Sequence, residues 1–229
     1  MRKVIPTHQP RILAHRGASG YSMENSLEAF RDAIRRGADG VELDVHATRD
    51  GGLVVHHDPA IPGLGAIAAA NSIALRSVRL SNGEPAPTLA EALAAIGDAE
   101  TWIEVKALPE QADETLLRTI DAAPAPGRCA VHSFDHRIVA RLGQRRPGLR
   151  RGVLSSTYPR DPAALMHSAG ATALWQDWRS IDAELVDAVH RKEGEVIAWT
   201  VNDADAARRL AALGVDALCG NYPDRLRLG

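Results

Sequence analysis

The feature that most restricts this chain is its alternation of eight short apolar runs with longer amphipathic segments. The runs lie at 11–14, 40–45, 102–105, 129–132, 152–154, 173–174, 196–200 and 217–219. Helical patterns at 26–36, 89–96, 110–123, 135–146, 162–168, 182–192 and 203–213 separate them, and a short terminal helix can start after Pro223. In the first helix Leu27, Phe30 and Ile34 fall at helical spacing, Ser26 is placed to cap it and Gly37 to end it. Asp135 caps the 135–146 helix in the same way. Strands alternating with helices make parallel βαβ units. Eight of them close an α/β TIM (β/α)8 barrel, and 229 residues suit one such domain. The irregular stretch at 59–87, after the second strand, reads as a loop insertion placed to overhang a site.

Composition narrows the function classes. A net charge of -2 provides no basic field for nucleic acid, so none is expected as a partner. With 45% hydrophobic and 24% charged residues, the balance is that of a soluble globular chain. No run approaches the ~20 apolar residues of a membrane span, and the N-terminus has no apolar run of signal-peptide length. A cytoplasmic protein is therefore expected. Cys129 and Cys219 lie far apart with no metal-motif neighbours, and read as buried reduced thiols.

The chemistry concentrates at strand ends. Side chains alternate faces along a strand. In the 40–45 run Val41, Leu43 and Val45 therefore face the helices, while Glu42 and Asp44 point into the barrel. Two inward carboxylates repel and are costly to desolvate. They need either a cation between them or an internal Arg or Lys. In the next strand Trp102, Glu104 and Lys106 share the inward face, adding a third carboxylate. Three carboxylates are hard oxygen ligands suited to Mg²⁺ or Ca²⁺ rather than Zn²⁺. Lys106 can meet a substrate anion or neutralise Glu104. The first strand ends in His15-Arg16-Gly17, where barrel enzymes place chemistry. Arg16 offers a planar fork for phosphate oxygens and His15 a group that exchanges protons near neutral pH. After a turn at Asp50-Gly51-Gly52, the chain returns through His56-His57-Asp58-Pro59. His57 is a second acid/base candidate that Asp58 can orient, while His56, on the other face, reads as structural.

Six segments resemble, in order and spacing, the signature of the glycerophosphodiester phosphodiesterase family. They are His15-Arg16-Gly17, Glu24-Asn25, Glu42-Leu43-Asp44-Val45, His57-Asp58-Pro59, Glu104-Val105-Lys106 and Trp199-Thr200-Val201-Asn202. The resemblance implies a TIM barrel that hydrolyses glycerophosphodiesters to glycerol 3-phosphate and an alcohol. It implies one divalent cation, Ca²⁺ or Mg²⁺ with Mn²⁺ as a third option, held by Glu42, Asp44 and Glu104. It further implies His15 and His57 as acid and base, Arg16 and Lys106 on phosphate oxygens, and Trp199 as a wall of the pocket. From the residues alone, Trp199 reads equally as barrel filling, and Glu24 and Asn25 as loop-positioning residues. Two departures stand out. The 59–87 stretch lacks the threonine- and glycine-rich pattern usual after His-Asp, and Gly220-Asn221 stands where Thr-Asp often stands. Rival readings are a lysophospholipase D or sphingomyelinase D-like enzyme, with Ile61, Leu64, Ile67 and Ile73 forming an apolar mouth, and a barrel that binds phosphorylated ligands without turnover. Neither the nucleophile (water or the substrate's 2-hydroxyl) nor the oligomeric state is set by the sequence.

Overall fold

The computed structural model of the chain describes residues 9–227. The N-terminal segment read above for a leader lies, up to residue 8, outside the described residues. The first unit is β1 (Arg11–His15) and α1 (Leu27–Arg35), and the second starts with β2 (Gly40–Ala47). β3 (Leu53–Val55) then turns back antiparallel along β2. The 59–87 stretch carries a small hairpin, β4 (Ala60–Ile61) and β5 (Gly65–Ala66), then a 3-10 turn and a short helix, α2 (Ser72–Ser77). After α3 (Leu89–Ile96) the alternation resumes with β6 (Glu100–Ala107), α4 (Asp113–Asp121), β7 (Cys129–Ser133), α5 (His136–Arg145) and β8 (Arg150–Ser155). It continues through α6 (Pro162–Ser168), β9 (Ala173–Asp177), α7 (Ala183–His190), β10 (Glu195–Trp199), α8 (Ala204–Leu213), β11 (Ala217–Gly220) and α9 (Pro223–Leu226).

The strands pair in the order β2, β6, β7, β8, β9, β10, β11, β1, all parallel, and β1 pairs back to β2. This closed ring of eight is the TIM barrel expected from the alternation. Local chemistry starts the helices where the sequence places them. The hydroxyl of Ser26 accepts from the backbone N–H of Ala29, and Thr88 with Glu91 forms a capping box. Asp135, Asp161, Asp182 and Asp203 cap α5, α6, α7 and α8 through their carboxylates.

Outward strand residues such as Val41, Leu43 and Val45 pack with Phe30, Leu89 and Leu93 from the helices. Inside, Leu13, Trp102, Leu154, Trp175, Ile197 and Cys219 fill the barrel. Gly152 makes room for the two indoles, since a Cβ there would lie 2.8 Å from Trp175 and 3.0 Å from Trp102. Both cysteines are buried and unpaired. The N-terminal end of the barrel is closed by an ion network from alternate strands. Arg11 reaches Glu100 at 2.7 Å and Glu195 at 2.8 Å, and Arg150 reaches Glu100 at 3.1 Å. The indole N–H of Trp102 also donates to Glu100, at 2.8 Å.

The insertion differs from a bare loop. Ile61, Ile67, Leu75, Leu80 and Ala86 bury themselves with Val54 in a small core of their own. Ile61 and Ile67 are thus unavailable to an apolar mouth, and Leu64 packs against the same core. Of the four residues considered for that mouth, Ile73 alone is largely open, at 80% exposure. α2 has six residues, too few for helical periodicity to register in the sequence. Similarly, the expected 110–123 helix starts as a 3-10 turn at Glu110–Ala112 before α4 begins.

Candidate active site

The strand registers set the geometry. Asp44 lies opposite Glu104, Glu42 opposite Trp102, and His15 opposite Glu42. Strand alternation turns all three acids inward, where Glu42, Asp44 and Glu104 are each at least nine-tenths buried. Their nearest carboxylate oxygens lie within 4.8 Å of one another. The structure thus brings together the three carboxylates that the sequence placed on neighbouring strands.

Two cations answer them in this arrangement. The Lys106 ammonium is 2.9 Å from Asp44 Oδ1 and 2.7 Å from Glu104 Oε1. The Arg16 guanidinium is 3.1 Å from Asp44 Oδ2 through Nε and donates at 3.0 Å to both oxygens of Glu24. Lys106 therefore pairs with Asp44 as well as with Glu104. Arg16 and Asn25 adopt left-handed backbone at φ 56° and 57°, which non-glycine residues hold only where the surroundings enforce it. The enforcing bonds are visible: Arg16 N–H donates to Glu42 Oε2 at 3.0 Å, and Asn25 N–H to Arg16 carbonyl at 3.0 Å. Gly17 follows at φ 79°, where a Cβ would lie 2.6 Å from the Ala29 backbone. The Asn25 amide donates to Asp44 Oδ2 at 2.8 Å and accepts from Asp44 N–H at 3.2 Å.

Three acids against two cations leave an imbalance. Burial, then the neighbouring Asp44, pushes Glu42 well above the usual carboxylate range. The same two causes raise Glu104 to about 7. Burial would also raise Asp44, but Lys106 and Arg16 overcome it and hold that carboxyl below its ordinary value. A buried set of hard oxygen donors carrying surplus negative charge fits a divalent cation, whose charge removes the repulsion.

The histidines differ in setting. His15 Nδ1 is 2.8 Å from Asn221 Oδ1, and Asn221 N–H in turn donates to Asn202 Oδ1 at 2.8 Å. Burial, then the Arg16 charge, lowers His15 to about 4. His57 is more open, with its side chain 37% exposed, and its Nδ1 lies 2.8 Å from Asp58 Oδ1. His46 on β2 steadies the segment by bonding His57 carbonyl through Nε2 at 3.1 Å. His56 gives its backbone N–H to Asp44 carbonyl, in keeping with a structural place. A cleft of about 1250 Å³ is lined by His57 and Lys106 together with Arg49, Asp135 and Arg137. Trp199 ends β10 and meets the Phe134 ring edge-on at 5.6 Å between centroids. Phe134 follows β7, so the contact joins the ends of two strands that β8 and β9 separate.

Four residues here escaped the sequence reading of the site. The residue order gives Asn221 only as a departure in a motif, not as the partner of His15, and Asn25 only as a loop residue, not as a hydrogen-bond partner of Asp44. Phe134 was not singled out. Nor was His132, although the alternation of the 129–132 run places it on the inward face beside Glu104.

A family model described as the glycerophosphoryl diester phosphodiesterase family matches residues 15–225. The chain is 30% identical over 234 residues to a glycerophosphodiester phosphodiesterase of Caldanaerobacter subterraneus subsp. tengcongensis, covering 94% of this chain and 95% of the relative. It is 31% identical over 247 residues to a probable glycerophosphodiester phosphodiesterase 2 of Mycobacterium tuberculosis, covering 96% and 90%. Among solved structures, an Oleispira antarctica phosphodiesterase in complex with the product sn-glycerol-3-phosphate shares the fold at a TM-score of 0.86 and 24% identity, over 95% of each chain. A match that begins at the end of β1 and runs to α9, around the rest of the ring, means that the chain belongs to the glycerophosphoryl diester phosphodiesterase family and is a phosphodiester hydrolase.

Proposed function

We propose that the protein hydrolyses glycerophosphodiesters to glycerol 3-phosphate and an alcohol, using one divalent cation, Ca²⁺ or Mg²⁺, held by Glu42, Asp44 and Glu104. The observation that carries this reading is the trio of buried carboxylates, with oxygens within 4.8 Å, at the catalytic end of the barrel. A cation held there would supply Lewis acidity toward the phosphate. Arg16 and Lys106, which border the same acids, hold phosphate oxygens and stabilise charge in the transition state. Trp199 walls the pocket.

The settings of the two histidines divide their roles. With Asn221 Oδ1 as partner, His15 Nδ1 carries the proton and Nε2 keeps a free lone pair. Burial, then the Arg16 charge, disfavours imidazolium, so His15 is the base that takes a proton from the attacking hydroxyl. Asp58 Oδ1, 2.8 Å from Nδ1, orients the His57 ring at the edge of the cleft, and His57 is the acid that protonates the departing alkoxide. This reading places the whole reaction on one barrel domain spanning 1–229, and the protein in the cytoplasm, in keeping with two unpaired cysteines.

The test is release of glycerol 3-phosphate from glycerophosphocholine by protein stripped with EDTA and refilled with Ca²⁺, Mg²⁺ or Mn²⁺. Metal-dependent release is expected. Release of choline from lysophosphatidylcholine, with no release from glycerophosphocholine, would move the assignment to the lysophospholipase D reading, which the burial of Ile61 and Ile67 disfavours. Binding of glycerophosphocholine without release in any metal would mean a non-catalytic barrel.

A further inference from the structure

Beside the carboxylates lies an imidazole that the reaction above does not use. His132 is 1% exposed, and neither ring nitrogen has a hydrogen-bond partner. Its ring is wedged between two indoles, 4.1 Å from Trp175 and 5.7 Å from Trp102 between centroids. A neutral imidazole always carries one N–H, and a buried N–H without an acceptor lowers stability. Burial holds His132 well below the usual imidazole range, so the ring is neutral here. Leucine or phenylalanine would fill this part of the barrel with no such cost. A histidine here needs another reason.

The nearest acceptor supplies one. His132 Nε2 is 3.8 Å from Glu42 Oε1, while Glu42 Oε2 already accepts the Arg16 N–H at 3.0 Å. The Glu42 carboxylate thus has a backbone donor on one oxygen and the imidazole on the other. The terminal torsion of a glutamate is broad, so a small rotation of the carboxylate closes the remaining gap. The register puts His132 next to Glu104, which itself lies opposite Asp44, so the imidazole stands among the acids.

We propose that His132 is a positioning residue that fixes the plane of Glu42 through its Nε2–H, setting that carboxylate as a metal ligand. Groups behind a ligand orient it and sharpen its affinity. The proposal rests on the metal reading above, and calorimetric titration of Ca²⁺, Mg²⁺ and Mn²⁺ into EDTA-stripped protein separates the two. His132→Phe keeps ring volume and stacking and removes the N–H. It is expected to weaken metal binding about 10- to 100-fold while leaving the melting temperature of the metal-free protein unchanged or higher. His132→Gln, which restores an N–H, is expected to recover most of that affinity. A residue serving only as packing predicts the reverse: a lower melting temperature in His132→Phe and wild-type affinity. Should the phenylalanine variant not fold, His132→Leu against His132→Gln carries the same contrast. Equal metal affinity in wild type and the N–H-free variant overturns the role of His132 alone. No binding of any of the three metals by wild type overturns the metal reading, and this inference with it.

Discussion

The two ends of the barrel use the same residue types to opposite effect. At the N-terminal end Arg11, Glu100, Arg150 and Glu195 balance two acids with two bases, and pairs such as Arg11–Glu100 at 2.7 Å interlock them. At the C-terminal end Glu42, Asp44 and Glu104 outnumber Arg16 and Lys106, and Asp44 Oδ1 and Arg16 Nε lack well-formed hydrogen bonds. The first arrangement is electrostatically complete and has nothing left to offer a ligand. The second is incomplete and gains from one. Sites that bind and react are those where the protein alone does not satisfy its charges.

That contrast can be broken by substitution. Glu104→Gln should reduce turnover more than about 10³-fold, the scale of several kcal/mol of lost transition-state stabilisation. It should leave the melting temperature equal or higher, because one of three repelling acids is gone; kinetics at saturating metal and a thermal melt check both. A melt that falls sharply would mean that the mouth, like the other end, is built for stability.

His15→Ala and His57→Ala should each lower turnover by about 10²–10⁴ with the fold intact. A diester with a nitrophenol leaving group, which needs no proton to depart, separates them. His57→Ala should regain most of its rate on that substrate and His15→Ala should not. The opposite pattern would exchange their roles.

At the other end Glu100→Ala should cost about 2–3 kcal/mol of stability, less than a fully buried pair because Arg11 and Arg150 are partly exposed. Urea denaturation measures the loss, and the turnover of the folded protein should not change. A change in turnover would show that the two ends are coupled.

The smallest effect concerns pH. His15 is lowered to about 4 from an ordinary 6.5, so below pH 6.5 the unfolded chain takes up a proton that the folded chain refuses. Its contribution to stability is therefore present above 6.5 and lost as pH falls toward 4. His15→Asn should flatten the fall in melting temperature between pH 6.5 and 5; an unchanged slope would place the acid sensitivity in other groups.

Much of this was legible in the order of residues. Alternation in Gly40–Ala47 and Glu100–Ala107 is enough to put Glu42, Asp44, Glu104 and Lys106 on one inward face. The caps of α1 and α5 were legible for the same reason: an N-cap bond spans two or three residues. Local periodicity does not reveal the small core under the insertion, which Ile61 and Leu80 share across nineteen positions of chain.

Short-range spacing is thus enough for the fold class and for the inward set of acids. Tertiary structure decided the partners. Asn221 is 206 positions from His15 and holds it only because β11 closes the ring against β1. Lys106 bridges Asp44 and Glu104 only because β2 and β6 pair in one particular register. His132 lies beside Glu42 for the same kind of reason, across the pairing of β6 with β7. Periodicity reports which face a side chain takes, whereas register and ring closure report what it meets there, and chain closure over such distances leaves no local trace.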